Sequence, residues 1–301
     1  MLTIRRQPST SLDDVEHMFC KTGGASISTE TILSLLQSTI ASGNTCFSSS
    51  QAQQIHSLIQ TVGLSTVPII QDHLIRLYAM SGNLFQAHKL FTQMLKPSSH
   101  TWYAMISSCV KLREGHMALD LFRNMMHQQW NDAYPRVSLF LAVLKACGIV
   151  EEHREGRVLH SQIVEGGVDL DLMIGNTLID VYAKCSLLED SQRVFDLMSN
   201  RDVVSWNVLI SGYTQHGHGH FPLQLFLMMQ QDGIKPCKVT YSSILKACNC
   251  NGIIINLQIV HQHIIKDGIE SDTIVGNTLL DMYAKYGMLE EAQKVFDGLF
   301  L

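Results

Sequence analysis

The chain has 301 residues, 46% of them hydrophobic and only 16% charged, where an ordinary soluble protein carries about 25% charged residues. Its 6 prolines and 20 glycines are too few for a collagenous or disordered chain, and its formal charge of −5 is opposite in sign to that of a typical basic nucleic-acid binder. No segment reaches the roughly 18 uninterrupted apolar residues of a membrane span, and the 8 cysteines contain no CxxC, which points to a reducing compartment rather than a disulfide scaffold.

The first 28 residues open with MLTIRRQPSTSL, two arginines and several hydroxyls without an acid, although Asp13, Asp14 and Glu16 follow. Such a start is similar to an organelle transit peptide, with mitochondrion and plastid both open.

From residue 29 on, the chain repeats itself. The segments 73–94, 177–198 and 278–299 align, placing Tyr78, Tyr182 and Tyr283 in one register at spacings of 104 and 101. His56, His160 and His261 keep the same two spacings, and Trp102 and Trp206 share the first. Landmarks that share an offset mark a true internal repeat. The units divide into pieces 29–67, 68–98, 99–136, 137–171, 172–202, 203–237, 238–272 and a partial 273–301, with a surplus of three residues near 128–133 where a loop is expected. Within 203–237, Trp206, Leu209, Ile210 and Tyr213 recur at i, i+3, i+4 and i+7, the face of one helix. A Gly-rich break follows at 216–220, and then a second helix carries Leu223, Leu225, Phe226 and Met229 up to Gly233 and Pro236. A hairpin this small cannot bury its apolar face alone, so the fold expected is an all-α, right-handed solenoid, a superhelix of stacked helix-turn-helix hairpins.

Tetratricopeptide repeats have a similar length, but their Trp…Leu-Gly…Tyr pattern is missing. The motifs VVSWNVLISGYTQHG (203–217), LFLMMQQDGIKPC (225–237), TYSSILKAC (240–248), VHQHIIKDGIESD (260–272) and VGNTLLDMYAKYGMLEEAQKVFD (275–297) instead resemble the pentatricopeptide repeat (PPR) family. The order of 31-, 35- and 35-residue pieces resembles its plant PLS subfamily, and no E-type or DYW-type extension follows Asp297. The resemblance covers about residues 29–301 and implies sequence-specific single-stranded RNA binding along a concave face of first helices, in mitochondria or plastids, with one repeat reading one base.

In that family the fifth and last residues of a repeat select the base, and an apolar second residue packs between bases. Carried over, the resemblance implies base reading by Asn176 with Asp202, the uracil-type pair, and by Asn207 with Cys237, where selection for a pyrimidine is weaker. Asn277 reads without a closing partner; Ser242 with Asp272 belongs to an L-type piece and indicates no base. Asp72 with Ser98 and Tyr103 with Arg136 are not decoded by the resemblance. Met173, Val204, Val239 and Ile274 would sandwich bases, and Lys111, Lys184 and Lys285, which share one register, would contact phosphates in a local basic stripe. The chemistry holds without the family, because an Asn amide offers a donor and an acceptor and a carboxylate can fix its orientation.

Each residue also has a plainer reading. The asparagines lie near helix starts and suit capping, but their common register favours base reading. The tyrosines and tryptophans suit inter-repeat packing, and the lysines suit simple solvation. HGHGH at 216–220 reads as an exposed turn rather than a metal site, and His261 with His263 as a repeat feature. His153-Arg154-Glu155 matches the HxE of a zinc deaminase formally, but lies in a turn and has no CxxC, so catalysis is not expected.

The function expected is a non-catalytic RNA-binding adaptor in organelle RNA editing, processing or stabilisation, with an editing or processing enzyme acting in trans. No cofactor, metal, membrane or small-molecule substrate is called for. The alternative is a protein-binding solenoid whose RNA groove is degenerate. The apolar Leu299, Phe300 and Leu301, where a polar capping repeat is expected, suggest a truncated product, a shortened gene prediction or an end covered by a partner.

Overall fold

The structure, a computed structural model, describes residues 29–41, 48–127, 136–165, 172–251 and 254–299. The transit-like segment 1–28, the surplus near 128–133 and the last residues Phe300 and Leu301 lie outside them. Among the described residues there are sixteen α-helices and no strand. They are α1 (Thr29–Ala41), α2 (Ser49–Thr61), α3 (Pro68–Met80), α4 (Leu84–Gln93), α5 (Ser99–Lys111), α6 (Gly115–His127), α7 (Arg136–Val150), α8 (His153–Glu165), α9 (Leu172–Lys184), α10 (Leu188–Leu197), α11 (Val203–Gln215), α12 (His220–Gln231), α13 (Lys238–Asn251), α14 (Ile254–Lys266), α15 (Thr273–Lys285) and α16 (Leu289–Gly298).

The chain divides between Ile149 and Val150 into two compact units. In the first, α3 packs on α4 as a hairpin and on α5 as the first helix of the next hairpin. In the second, α9, α11, α13 and α15 pack successively, each first helix on the next, with α10, α12, α14 and α16 as their hairpin partners. Each unit is a stack of helical hairpins, the all-α solenoid class expected.

The sequence dictates one such hairpin closely. On α11, Trp206, Leu209, Ile210 and Tyr213 form the apolar stripe, and all four are buried. Asp202 caps the helix, accepting from the Ser205 backbone at 2.9 Å while its own N–H donates to the Ser205 hydroxyl, a reciprocal capping box. Gly217 ends it at φ 76°, the left-handed conformation that costs glycine least. The second helix starts at His220, still within the HGHGH run, because the turn needs only the residues before it.

Aromatic anchors lock consecutive hairpins. Trp206 meets the Phe195 ring edge-on with centroids 4.7 Å apart, and Trp102 does the same with Phe91 at 4.6 Å. All four rings are buried, so packing is their role. Burying a Phe-sized side chain contributes about 1.5–3 kcal/mol. The shared register of His and Tyr is a hydrogen bond: Nδ1 of His56, His160 and His261 lies 2.9, 2.9 and 2.7 Å from the hydroxyl of Tyr78, Tyr182 and Tyr283. At Gly212 the first helices approach so closely that a Cβ would sit 2.8 Å from the Ala183 Cβ, and this brings α11 hard against α9.

Candidate nucleic-acid interface

Stacking first helix on first helix brings the fifth residue of one beside the residue that opens the next. Asn176 stands one turn into α9, and Asp202 caps α11. Partial burial pushes the Asp202 carboxyl up, but hydrogen bonds from the backbone and hydroxyl of Ser205, the amide of Asn176 and the backbone of Val204 outweigh it and hold the carboxyl below its usual range. The Asn176 Oδ1 is buried and has no partner within the protein.

The next pair repeats the arrangement with different atoms. Asn207 Nδ2 donates to the Cys237 Sγ at 3.3 Å, and the Thr240 hydroxyl donates to Asn207 Oδ1 at 2.6 Å. Partial burial raises the Cys237 thiol, and the bonds from the Thr240 backbone and hydroxyl, the Asn207 amide and the Val239 backbone bring it below its ordinary value.

The remaining positions fall differently. Asp272 caps α15, accepting from the Ile274 and Val275 backbones at 3.0 and 3.3 Å, and its carboxylate faces Lys238 at 3.8 Å. Ser242 sits half-buried on α13, and no hydrogen bond described there joins it to Asp272. Asn277 is exposed on α15. In the first unit, the Ser98 hydroxyl donates to the Asp72 carboxylate at 2.7 Å. Tyr103 lies on α5, and the side chain of Arg136 is outside the described set.

The second residues share one unusual property. Met173, Val204, Val239 and Ile274 are 61, 48, 51 and 54% exposed, apolar side chains left in water at the same register of four successive first helices. Val204 and Val239, from successive first helices, line a cavity of about 360 Å³ together with Asn207, Asp180, Ser211 and Gln215. That volume lies within the range of small-molecule clefts, roughly 300–1,000 Å³. The arrangement can hold a flat heterocycle between two apolar side chains with an amide at its edge.

The lysines close their helices. Lys184 pairs with Asp180 at 2.5 Å and Lys285 with Asp281 at 2.6 Å, while Lys111 is exposed at the end of α5. Those aspartates were legible as i, i+4 partners. Thr240 was harder to find, because its contact with Asn207 spans 33 residues. The HGHGH residues point different ways: the His216 ring meets the Ala183 carbonyl at 2.7 Å, and His218 packs edge-on against Tyr213 and Phe221. His153, Arg154 and Glu155 form the first turn of α8 rather than the turn before it.

The profile described as the PPR repeat family matches residues 201–250, and that described as the PPR repeat matches 73–96, 100–128, 176–203 and 277–299, together about half of the chain. The Arabidopsis thaliana pentatricopeptide repeat-containing protein At1g11290, chloroplastic, is 32% identical over 254 residues, covering 84% of this chain and 31% of that protein. Another from the same plant, At3g24000, mitochondrial, is 34% identical over 231 residues, covering 77% of this chain and 36% of its own length. The chain thus spans about a third of these relatives. Among solved structures, the pentatricopeptide repeat protein PPR10 in complex with an 18-nt psaJ RNA element superposes with a TM-score of 0.72 at 21% identity, over 95% of this chain and 42% of that one. PPR10 from maize gives 0.73 at 20% identity, over 95% and 41%.

Proposed function

This chain belongs to the pentatricopeptide repeat family, and from that premise we propose that it binds single-stranded RNA through the first helices of its hairpins, without catalysis of its own. The observation that carries this is the cavity between Val204 and Val239 with Asn207 on its wall. An apolar side chain left half in water costs nothing once a base covers it, and an amide on the wall then reads the base edge. Asn176 with Asp202 reads uracil; Asn207 with Cys237 reads a pyrimidine less strictly, because sulfur is a weak acceptor. Asn277, Ser242 and Asp272 face further nucleotides, with Met173 and Ile274 as the outer wedges. Lys111, Lys184 and Lys285 contact phosphates, the latter two by exchanging Asp180 and Asp281 for the RNA.

The chain acts in a mitochondrion or plastid, in RNA editing, processing or stabilisation, with an enzyme supplied in trans. Relatives named chloroplastic and mitochondrial support the compartment. The order of piece lengths supports the PLS subfamily, with hairpins over 29–301.

Anisotropy titration with short labelled RNAs tests this. Uridine-rich RNA binds, and log K falls linearly with log salt, about 0.7 per phosphate contacted. Replacing Asn176 and Asp202 together by Ala lowers the preference for uracil at one nucleotide about fivefold, the worth of one hydrogen bond. Equal binding of every RNA, unmoved by the double substitution, overturns the proposal. The ion pairs Lys184–Asp180 and Lys285–Asp281 favour a second reading, a protein-binding solenoid. A partner retained after RNase treatment, with no RNA crosslinked to the first helices, would select it.

A further inference from the structure

Polar side chains rarely lie fully buried, and each one that does has a reason. Three buried residues in this protein hold the same place, the third residue of a first helix: Thr101 on α5, Ser205 on α11 and Thr240 on α13. They differ in what their hydroxyls do. Ser205 donates to the Asp202 carboxylate at 3.0 Å, and Thr101 shares a 3.0 Å contact with the Ser98 hydroxyl. Thr240 alone of the three reaches past the closing residue to the reading amide, donating to Asn207 Oδ1 at 2.6 Å.

The reason lies in residue 237. A carboxylate accepts hydrogen bonds and cannot donate, so Asp202 dictates that the NH2 end of Asn176 faces it. A thiol both donates and accepts weakly, and Cys237 Sγ at 3.3 Å from Asn207 Nδ2 cannot fix the amide by itself. Thr240 can. Its oxygen accepts the Cys237 backbone N–H at 3.0 Å, so its single proton needs an acceptor. Two acceptors lie in reach, Asn207 Oδ1 at 2.6 Å and Cys237 Sγ at 3.6 Å, and the amide oxygen is both nearer and the stronger acceptor, so it takes the proton. The Asn207 oxygen is therefore turned to Thr240 and the NH2 group toward Cys237, in a residue that lines the cavity.

We propose that Thr240 is a positioning residue for base selection: it locks the Asn207 amide in the orientation that a carboxylate would otherwise impose from position 237. The role rests on the RNA-binding function proposed above. It also makes the residue that matters part of the following hairpin, outside the pair that faces the base.

Selection from a randomised single-stranded RNA pool, with sequencing of the bound fraction, tests it. The unaltered protein enriches pyrimidines at two neighbouring nucleotides, one for Asn176 and one for Asn207. Thr240→Val, which keeps the shape and loses the hydroxyl, cuts enrichment at the second nucleotide about fivefold and leaves the first unchanged. Thr240→Ser restores it. In a Cys237→Asp background Thr240→Val has no effect on enrichment, since the carboxylate then holds the amide. Loss at both nucleotides, loss that the Cys237→Asp background does not rescue, or no loss in Thr240→Val each overturns the positioning role. A failure of RNA binding itself shows differently, as a pool without enrichment at either nucleotide in the unaltered protein, and it removes both inferences. Circular dichroism of each variant reports the fold separately, and Thr240→Ser keeps the test open should the Val variant unfold.

Discussion

The two units place the same two positions in contact and fill them with opposite chemistry. In the second unit an amide at the fifth place of α9 donates to a carboxylate at the start of α11, Asn176 to Asp202. In the first unit the carboxylate stands on the helix and the donor at the next start, with the Ser98 hydroxyl on Asp72 at 2.7 Å. The stacking of first helices therefore creates the juxtaposition with the donor on either side of it. Which group faces the groove decides what can be read: an amide offers donor and acceptor, whereas Asp72 offers only acceptors and a negative charge. One scaffold thus carries a readable site and an undecodable one.

The largest expected effect tests whether the scaffold is as sound in both units. Trp102→Ala and Trp206→Ala each remove a buried ring that meets a Phe edge-on, and each is expected to cost about 3–5 kcal/mol. Urea denaturation followed by circular dichroism measures it. Comparable losses place the difference between the units in their reading residues alone; a small loss for Trp102→Ala would put it in the packing.

A second test uses pH. Burial lowers the pKa of His56, with Lys89 pushing the same way. Burial also lowers His160 and His261 in the second unit, where Asp190 and Glu270 respectively oppose it. His73 is lowered by burial and Arg76 against the pull of Asp72. In each case the folded protein binds the proton less readily than the unfolded chain, whose histidines titrate at about 6.5. The stability these histidines provide is complete above that value and is lost as pH falls from it through the folded pKa values. The denaturation midpoint is expected to be lower at pH 5.5 than at pH 7.5. Replacing His56, His160 and His261 by Gln should flatten most of that slope, with His73 contributing part of what is left. An unchanged slope would show that the His–Tyr contacts do not report on folding.

These particulars also show how far residues speak before they are folded. Trp206, Leu209, Ile210 and Tyr213 repeat at helical spacing, and all four are buried, because periodicity is a local property of the chain. The Gly-rich breaks were equally legible, since Gly217 and Gly287 supply the left-handed turns that end α11 and α15. The His–Tyr bond was half legible: each pair is 22 residues apart, but only folding shows that Nδ1 meets the hydroxyl. The Thr240–Asn207 bond was not legible. It depends on how closely α11 and α13 approach, where the Ser211 and Ser243 hydroxyls also meet at 3.0 Å.

The smallest expected effect bears on the comparison most directly. Asp72→Asn with Ser98→Asp would give the first unit the pair that the second unit has in Asn176 and Asp202. The new carboxylate is expected to keep the cap of α5, because Asp202 caps α11 with the same side chain and Ser98 now accepts from the Thr101 backbone at 3.2 Å. Stability should therefore hardly move. Selection from a randomised RNA pool should gain one more nucleotide with pyrimidine enrichment, about fivefold, the worth of a single hydrogen bond. The exchange also moves the negative charge from the fifth residue to the closing one, where it orients an amide instead of facing the RNA. If the pool is unchanged, juxtaposition and pair identity are insufficient together. The decisive difference between the units would then lie in the apolar wedges: Ile69, 59% exposed, matches Met173, but the second residue of α5 is the exposed His100 where α11 has Val204.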